Sequence, residues 1–344
     1  MPKWYEEKGN SSDIVIATRV RLERNYKKYP FSVKIADDEA KSLIQEIQDL
    51  CKESEVMPKN LTYTSVNEMN ETNKIALLER QIISQPMVKK EQSCGFLLNE
   101  REDVELLLNG DDHVRIQTIY SGMNITDAYS RANSIDDNLS DKLEVAFNEK
   151  YGYLTSSPTN VGTGLRVSYL LFLPALSGAG KMNTLAAEVS KYGVALNALY
   201  GEDMTSKAGL FQVTNQRTLG CTEQETIENL NSLVSQIVKQ ERVRREYILT
   251  RNYNGVEDQV YRAYGVLKYT KQIDSKDAVA LISQLMFGVN TGILKLKPGE
   301  NLFKMIMDVQ SNVLQATIGK LVGPKTRDRF RAEYINKNLP EIAG

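Results

Sequence analysis

The segment GFLLNEREDVELLLNGDDHVRIQTIY, from Gly95 to Tyr120, decides the class of fold. It contains three short β-rich runs, GFLLN, DVELLLN and HVRIQTIY, separated by the polar stretches NERE and GDD. Short apolar runs divided by polar turns are typical of an antiparallel β-meander. The segment therefore predicts antiparallel strands, with Asp111 and Asp112 in a turn between two of them.

Helical patterns lie on both sides of this meander. Apolar residues between Asp37 and Cys51 recur at the spacing of one helical face, and a similar pattern returns from Asn183 to Val194. The run LFQVTNQ, which begins at Leu210, has the character of another strand. The mixture predicts an α+β fold in which helices pack on an antiparallel sheet.

The pattern after residue 219 is helical. Thr222 followed by Glu225 forms a capping box, which predicts a long amphipathic helix to about Leu249. Asp274 is a suitable cap for a further helix, and Leu302–Leu321 is predicted to be helical. We therefore expect a mixed α+β domain over residues 13–245 and a helical domain over residues 246–344.

Composition and charge exclude several classes of function. The 344 residues carry 43 basic and 44 acidic side chains, a net charge of -1 that does not favour nucleic acid or an anionic membrane. The sequence has no apolar run near the ~18 residues of a membrane span and no apolar core of a signal peptide. A cytoplasmic location is expected.

Metal-binding patterns are absent from the sequence. The three cysteines are widely spaced and form no CxxC pair, and His113 is the single histidine. These counts argue against a disulfide framework, a zinc site and a histidine-based metal cluster. Any chemistry is expected to use carboxylates, arginines and hydroxyl groups.

Four arginines are candidates for binding phosphate. Arg19 and Arg21 alternate in the β-like run ATRVR, so their side chains share one side of a strand. Guanidinium groups bind phosphate through two parallel hydrogen bonds. Arg115 in NGDDHVR and Arg166 in SSPTNVGTGLR extend the set. The alternative is that each arginine is a solvated charge or part of a structural ion pair.

Two glycine-containing stretches do not satisfy the P-loop pattern. NVGTGLR lacks the GK[ST] ending, and Met182 follows the lysine of SGAGK. The sequence therefore does not predict a Walker-type nucleotide site.

With YGED at Tyr200–Asp203, the strings ATRVR, NGDDHVR and SSPTNVGTGLR resemble those of the ATP:guanidino phosphotransferases. Within that family the chain resembles the bacterial protein-arginine kinases, from about Asp13 to about Ala332. The resemblance implies a phosphagen-kinase catalytic domain of glutamine-synthetase-like type. Its eight-stranded antiparallel sheet would be flanked by helices and followed by an all-helical C-terminal domain.

The resemblance also implies an activity: direct, in-line transfer of the γ-phosphoryl group of ATP, with Mg²⁺, to arginine side chains of proteins. The implied catalytic residues are Asp111, Asp112, Ser157 and Glu202. The implied nucleotide-binding residues are Thr18, Arg19, Val20, Arg21, Arg115, Arg166, Ser168, Tyr200, Gly201 and Glu202.

The string RDRFRA near the C-terminus matches the RDxxRA string that forms a phosphoarginine pocket in those kinases. Arg327 and Arg331 are four residues apart and share a helical face, where they can bind a phosphate group. Asp328 can pair with the guanidinium of the same ligand, and Ala332 completes the string. The alternative is a salt-bridged helix end.

Four positions depart from the family pattern. Asp111 replaces a glutamate and is one methylene shorter, and Ser157 replaces a cysteine. Asn197 replaces an arginine that precedes the YGE string, and Pro86 replaces a histidine. Misplacement of a reacting group by about 1 Å can cost on the order of a hundredfold in rate. The departures therefore make reduced activity plausible.

Two alternatives stay open beside the active kinase. One is a pseudokinase that binds phosphoarginine without forming it. The other is a kinase for a free guanidino compound, disfavoured because Arg19 lies almost at the start of the chain. The resemblance further implies a homodimer, protein clients marked for regulated proteolysis or stress response, an ATP-dependent unfoldase and protease, a heat-shock repressor and a cysteine-rich activator protein.

Overall fold

The computed structural model describes residues 2–200, 204, 208–299 and 301–343. Eight strands form one antiparallel sheet in the order β2-β3-β4-β5-β1-β8-β10-β9. The strands of this part of the chain are β1 (Val15–Arg24), β2 (Thr62–Ser65), β3 (Gly95–Leu98), β4 (Val104–Leu108), β5 (Val114–Ser121), β6 (Phe147–Asn148), β7 (Gly152–Tyr153), β8 (Leu165–Phe172), β9 (Val194–Ala198) and β10 (Leu210–Asn215). The predicted antiparallel sheet is confirmed.

Helices flank the sheet and form the C-terminal region. They are α1 (Asp37–Glu53), α2 (Glu71–Glu79), α3 (Gln85–Val88), α4 (Ile125–Ser140), α5 (Pro174–Gly178), α6 (Met182–Ser190), α7 (Glu223–Tyr269), α8 (Ser275–Asn290), α9 (Leu302–Asp308), α10 (Ser311–Ile318) and α11 (Pro324–Asn338). Within the described residues, no helix has the length and apolar character needed to cross a membrane.

Strand β1 lies near the middle of the sheet and has two different faces. Val20 and Leu22 are fully buried and belong to a core cluster that includes Ala128 and Ile135 of α4. Because side chains alternate along a strand, Arg19 and Arg21 project from the opposite face. The sheet therefore packs against α4 on one face and carries its polar residues on the other.

Arg24, the last residue of β1, joins several elements in the interior. It is 1% exposed and forms two-pronged contacts with Asp136 of α4, its Nε at 2.8 Å and Nη2 at 2.6 Å from Oδ2. Its Nη1 donates to the carbonyl of Thr163 at 3.0 Å, and Nη2 lies 3.6 Å from Glu223 at the start of α7. One guanidinium thus connects β1, α4, the loop before β8 and α7.

Two predicted helices end or break at positions that the sequence did not predict. The helix predicted to reach Val194 ends at Ser190, and Val194 begins β9. The helix predicted over Leu302–Leu321 is divided into α9 and α10, because the carbonyl of Val309 accepts a hydrogen bond from Arg331 Nε at 2.8 Å. That contact comes from α11 and has no signal in the local sequence.

The capping box at Thr222 is confirmed, with the Thr222 hydroxyl oxygen accepting from the backbone N–H of Glu225 at 3.1 Å. The helix that it opens continues past the predicted end near Leu249 to Tyr269, with non-helical backbone angles at Asn252. The predicted division at residues 245 and 246 therefore lies inside α7, close to this kink, and stays a prediction.

Substitution of the buried partner of Arg24 is expected to destabilise the fold. The variant Asp136→Asn leaves the Arg24 guanidinium without its compensating charge, which should lower the free energy of unfolding by about 3 kcal/mol. Urea denaturation followed by circular dichroism measures this change. Asp137→Asn, at the exposed neighbouring position, is the matched control. Equal stability of the two variants would contradict the structural role given to Arg24.

Candidate functional site

The polar face of the sheet collects side chains from three neighbouring strands. Arg19 of β1 pairs with Ile119 of β5 and Ser168 of β8, and Arg21 pairs with Gln117 and Arg166. Directly paired residues in an antiparallel sheet project from the same face. We call the surface formed by Arg19, Arg21, Glu23, Arg115, Gln117, Arg166 and Ser168 the arginine face.

The four predicted arginines converge on this face. Arg21 Nε donates to Gln117 Oε1 at 2.6 Å, and Arg19 Nη1 donates to Gln81 Oε1 at 2.5 Å. Arg115 Nη2 lies 3.6 Å from Glu105 Oε1. The structure thus brings together residues that are separated by up to nearly 150 positions in the sequence.

The cations of the arginine face are incompletely neutralised. Burial lowers the pKa of Arg19 to about 10. Burial, followed by the neighbouring charges of Arg115 and Arg19, lowers the pKa of Arg21. Among the described residues, Arg19 Nε, Arg115 Nε and Arg115 Nη2 are buried without a hydrogen-bond partner. Because buried polar donors are normally paired, the face has the properties of a site for a multivalent anion.

Arg166 has a second role at this face. Its Nε donates to Asn160 Oδ1 at 2.9 Å, its Nη1 to the carbonyl of Asn215 at 2.6 Å and its Nη2 to the carbonyl of Thr159 at 3.0 Å. The guanidinium therefore holds the loop that contains PTNVGTG against the end of β10. The alternative interpretation, an arginine with a structural role, fits the contacts of Arg166 better than those of Arg19 or Arg115.

The turn with Asp111 and Asp112 lies at one end of the arginine face, as predicted. Asp112 is 1% exposed, and its Oδ1 accepts from Asn25 Nδ2 and from the backbone N–H of Ser156, both at 2.6 Å. It therefore joins the turn to the loop that contains Ser156 and Ser157, which we call the serine loop. Asp111 is half-buried beside it, which makes it the more accessible of the two carboxylates.

Several residues that the sequence analysis missed hold this turn in place. Lys90 Nζ donates to the carbonyl of Gly110 at 2.8 Å. His113 Nδ1 accepts from the backbone N–H of Tyr26 at 3.0 Å, and its Nε2 lies 2.7 Å from the carbonyl of Pro30, so that Nε2 carries the proton. Burial lowers the pKa of His113. These contacts join distant segments, and single residues in the sequence gave no signal for them.

The remaining predicted positions divide between the site and the core. Ser157 is half-buried in the loop, with its Oγ 2.9 Å from Thr159 Oγ1. Thr18 and Val20 face the core, and Thr18 Oγ1 donates to the carbonyl of Gly122 at 2.6 Å. Any nucleotide contact from Thr18 or Val20 would therefore use the backbone. Gly201 and Glu202 lie outside the described residues.

A small cavity of about 60 Å³ lies at the Arg19 end of the arginine face. Its floor includes Arg19 and Ser168, and Tyr200 lies in its wall. Phe303 and Met307 of α9 close another side, so the C-terminal helices contribute to it.

The four departures also have defined places. Asn197 is exposed on β9 and pairs with Gln212, on the same face as the arginines. Pro86 lies in α3, whose Met87 packs near Gly110, where an added Cβ would lie 3.2 Å from Met87 Sδ. Both positions therefore border the site, together with Asp111 and Ser157.

The predicted phosphoarginine string lies on α11. Arg331 is 1% exposed, and its guanidinium donates to the carbonyls of Val309 at 2.8 Å and Ile273 at 2.9 Å and to Asp328 Oδ1 at 2.5 Å. Arg327 and Asp328 are half-buried, and Arg327 Nε has no hydrogen-bond partner within the described ranges. Ala332 is buried. Arg327 is thus the arginine of this string that retains a buried unpaired donor.

An antiparallel sheet with clustered arginines beside a carboxylate turn is an arrangement suited to binding a phosphorylated ligand. The family model for the ATP:guanido phosphotransferase C-terminal catalytic domain matches residues 42–244. The model for the protein-arginine kinase McsB C-terminal domain matches residues 253–344. The chain belongs to the ATP:guanido phosphotransferase family.

Similarity along the whole chain places it among the protein-arginine kinases. The protein-arginine kinase of Bacillus subtilis (strain 168) is 37% identical over 340 residues, covering 98% of this chain and 93% of the relative. That of Clostridium acetobutylicum is 34% identical over 339 residues, covering 98% and 100%.

The fold is shared with solved metabolic kinases. The crystal structure of a lombricine kinase has a TM-score of 0.58 at 19% identity, covering 70% of this chain and 71% of the other. The duplicated taurocyamine kinase from Schistosoma mansoni has a TM-score of 0.58 at 22% identity, covering 78% and 39%. At these identities the likeness concerns the fold alone.

The unpaired arginine donors predict that a polyanion stabilises the protein. Inorganic tripolyphosphate at low salt is expected to raise the melting temperature by about 5 °C, because it binds the folded state alone. Differential scanning fluorimetry measures the shift. Arg115→Gln should abolish most of it, whereas Arg101→Gln, a half-buried position outside the arginine face, should not. An equal shift in both variants would show that the anion binds elsewhere.

Proposed function

We propose that this protein transfers the γ-phosphoryl group of MgATP to arginine side chains of proteins. The observation that carries the proposal is the convergence of Arg19, Arg21 and Arg115 beside the Asp111 turn, with buried guanidinium donors that lack partners. Membership of the family and the names of the full-length relatives support the same activity.

The arginine face fits the triphosphate of the substrate. Arg19 and Arg115 offer the unpaired donors, and Arg21 adds a third charge on the same face. Guanidinium groups at these positions stabilise negative charge on the transferring phosphoryl group. In the described part of the chain, no group of three or more His, Cys, Asp or Glu residues is arranged to hold a metal ion. Mg²⁺ is therefore proposed to enter with the nucleotide, held mainly by phosphate oxygens.

The acceptor guanidinium is proposed to lie at the Asp111 end of the face. An arginine side chain is fully protonated in water, so its nitrogen attacks phosphorus only when a carboxylate orients it and a proton leaves. Asp111 supplies an accessible carboxylate, while Asp112 holds the turn to the serine loop. Glu202 stays the predicted second carboxylate.

The activity is tested with an unfolded model protein and MgATP, by mass spectrometry under conditions that preserve the acid-labile phosphoarginine. Wild-type protein is expected to form phosphoarginine, and Asp111→Asn should lower the rate at least a hundredfold. Asp111→Glu should raise the rate, by up to on the order of a hundredfold, because the added methylene moves the carboxylate by about 1 Å.

The controls separate this activity from the two alternatives. Free arginine and creatine are supplied as competing acceptors; turnover of either without transfer to protein would favour a metabolic kinase. If the well-folded enzyme forms no phosphoarginine, with or without an activator protein, the result would favour the pseudokinase. Glu144→Gln, at an exposed surface position, should leave the rate unchanged.

We also propose that the α11 string binds phosphoarginine, with Arg327 as its phosphate contact. The unpaired Arg327 Nε supports this assignment, and the contacts of Arg331 support a role in shaping the pocket. The protein clients, unfoldase, protease, heat-shock repressor, activator and homodimer stay predictions from the family. The cytoplasmic location stays a prediction from the sequence pattern.

The pocket assignment predicts unequal effects of two neighbouring substitutions. Arg327→Gln should weaken binding of a phosphoarginine peptide by at least tenfold, since one charge-assisted hydrogen bond is worth about 1.5–3 kcal/mol. Arg329→Gln, at an exposed position on the same helix, should bind normally. Isothermal titration calorimetry measures both. Equal affinity of the two variants would leave the string with a structural role only.

A further inference from the structure

Glu23 is a buried carboxylate of the arginine face that has no role in the phosphoryl transfer proposed above. It is the third side chain of β1 on this face, after Arg19 and Arg21, and is 6% exposed. Its Oε2 is buried and receives no hydrogen bond from the part of the chain that the structure describes. A buried carboxylate ordinarily has a donor for each oxygen, so the unpaired oxygen indicates a missing cationic partner.

The position of Glu23 relates it to the acceptor end of the site. On one side it pairs with Arg115 of β5. On the other, its backbone N–H donates to the carbonyl of Gly164 at 2.9 Å. Gly164 has a positive φ of 62°, and an added Cβ would lie 2.7 Å from the Glu23 carbonyl oxygen. The close approach requires glycine, and no side chain from that neighbour covers the carboxylate.

Charged side chains from β1, β5, β8 and the Asp111 turn surround Glu23. Arg115 and Arg21 are the cations that act on it most strongly, and Arg166 on β8 also interacts with it. Asp112 and Asp111 of the turn are the neighbouring anions. Glu23 therefore lies between the phosphate-binding arginines and the proposed site of the acceptor guanidinium.

We propose that Glu23 is a further catalytic residue, whose carboxylate contacts the acceptor guanidinium and takes its proton during transfer. This inference rests on the proposed kinase function. A guanidinium offers two parallel N–H groups to a carboxylate, which supplies the partner that Oε2 lacks. Asp111, with its shorter side chain, then orients the acceptor from the turn.

The transfer moves one phosphoryl group and releases one proton. The lone pair of an arginine Nη forms the N–P bond to the γ-phosphorus, and the bond from that phosphorus to the bridging oxygen breaks. The bonding pair leaves with that oxygen as part of ADP. The proton displaced from Nη goes to the Glu23 carboxylate and then to solvent, so that ATP and arginine give ADP, phosphoarginine and a proton.

The pH dependence of the reaction gives a distinct signature. Burial, opposed by Arg115, raises the pKa of Glu23 to about 8. A carboxylic acid cannot accept the proton, so kcat/KM should rise as pH increases through about 8 and Glu23 ionises. The same raised pKa makes the folded protein hold this proton more tightly than the unfolded chain does. Stability should therefore fall as pH rises from about 4.5 to about 8.

The test compares wild type, Glu23→Gln and Glu23→Asp by rate of phosphoarginine formation from pH 6 to 9. Glu23→Gln should lower kcat at least a hundredfold, with KM for MgATP changed less than about threefold and with the rise near pH 8 lost. Adding Asp111→Glu to Glu23→Gln should recover at least tenfold, because a longer carboxylate then reaches the acceptor.

Thermal unfolding checks that the variants are folded and tests the linkage. The melting temperature of Glu23→Gln should exceed that of wild type increasingly between pH 5 and pH 8, because the variant has no carboxylate to ionise. Glu144→Gln, a solvent-exposed substitution, should follow wild type in rate, pH profile and melting temperature.

The outcomes distinguish this inference from the proposed function. Active wild type with a fully active Glu23→Gln variant and the same pH profile would overturn the role of Glu23 and leave the kinase intact. A raised KM for MgATP with unchanged kcat would make Glu23 only a counterion of Arg115. No phosphoarginine from wild type at any pH would instead reject the kinase.

Discussion

The buried pairing of Arg24 with Asp136 is the contact on which the remaining architecture depends. A charge in the protein interior is stable only with a partner and a full set of hydrogen bonds. Arg24 satisfies this need through α4, through the carbonyl of Thr163 and through Glu223 of α7. The hydrogen bond from Arg24 to the carbonyl of Thr163 therefore also holds the PTNVGTG loop beside the end of β1. Because side chains alternate along β1, fixing Arg24 toward the core also fixes Glu23, Arg21 and Arg19 toward the opposite face.

That opposite face carries more positive charge than its own acids neutralise. Burial lowers the pKa values of Arg19 and Arg21, and donors of Arg19 and Arg115 lack partners. A site of this kind is costly for the fold but prepared for an anion, since its dipoles and charges need little rearrangement when the substrate arrives. The carboxylates lie at the end of the face near Asp111, where a positively charged acceptor would meet the phosphate. Under the proposed function, the arrangement separates a region for the nucleotide from a region for the guanidinium.

Much of the fold could be predicted from the sequence, because the meander, α1 and the capping box of α7 are local patterns with local physical causes. The arginines could be predicted as a set from the alternation of Arg19 and Arg21 and from their family strings. Glu23 and Lys90 could not, since their roles come from strand pairing and from contacts across the chain. The break between α9 and α10 was missed for the same reason: Arg331 of α11 binds the Val309 carbonyl. The sequence also did not show that Arg331 is committed to the backbone while Arg327 retains an unpaired donor.

The central claim is that one face of this sheet holds both the nucleotide phosphates and the acceptor guanidinium. A crystal structure of the protein with MgADP, nitrate and an arginine-containing peptide tests it most directly. Nitrate is a planar anion and imitates the phosphoryl group in the transition state of its transfer. The anions are expected to contact Arg19, Arg21 and Arg115, and the peptide guanidinium is expected to contact Asp111 and Glu23. A nucleotide bound away from the arginine face, or a peptide guanidinium found only at Arg327, would contradict it.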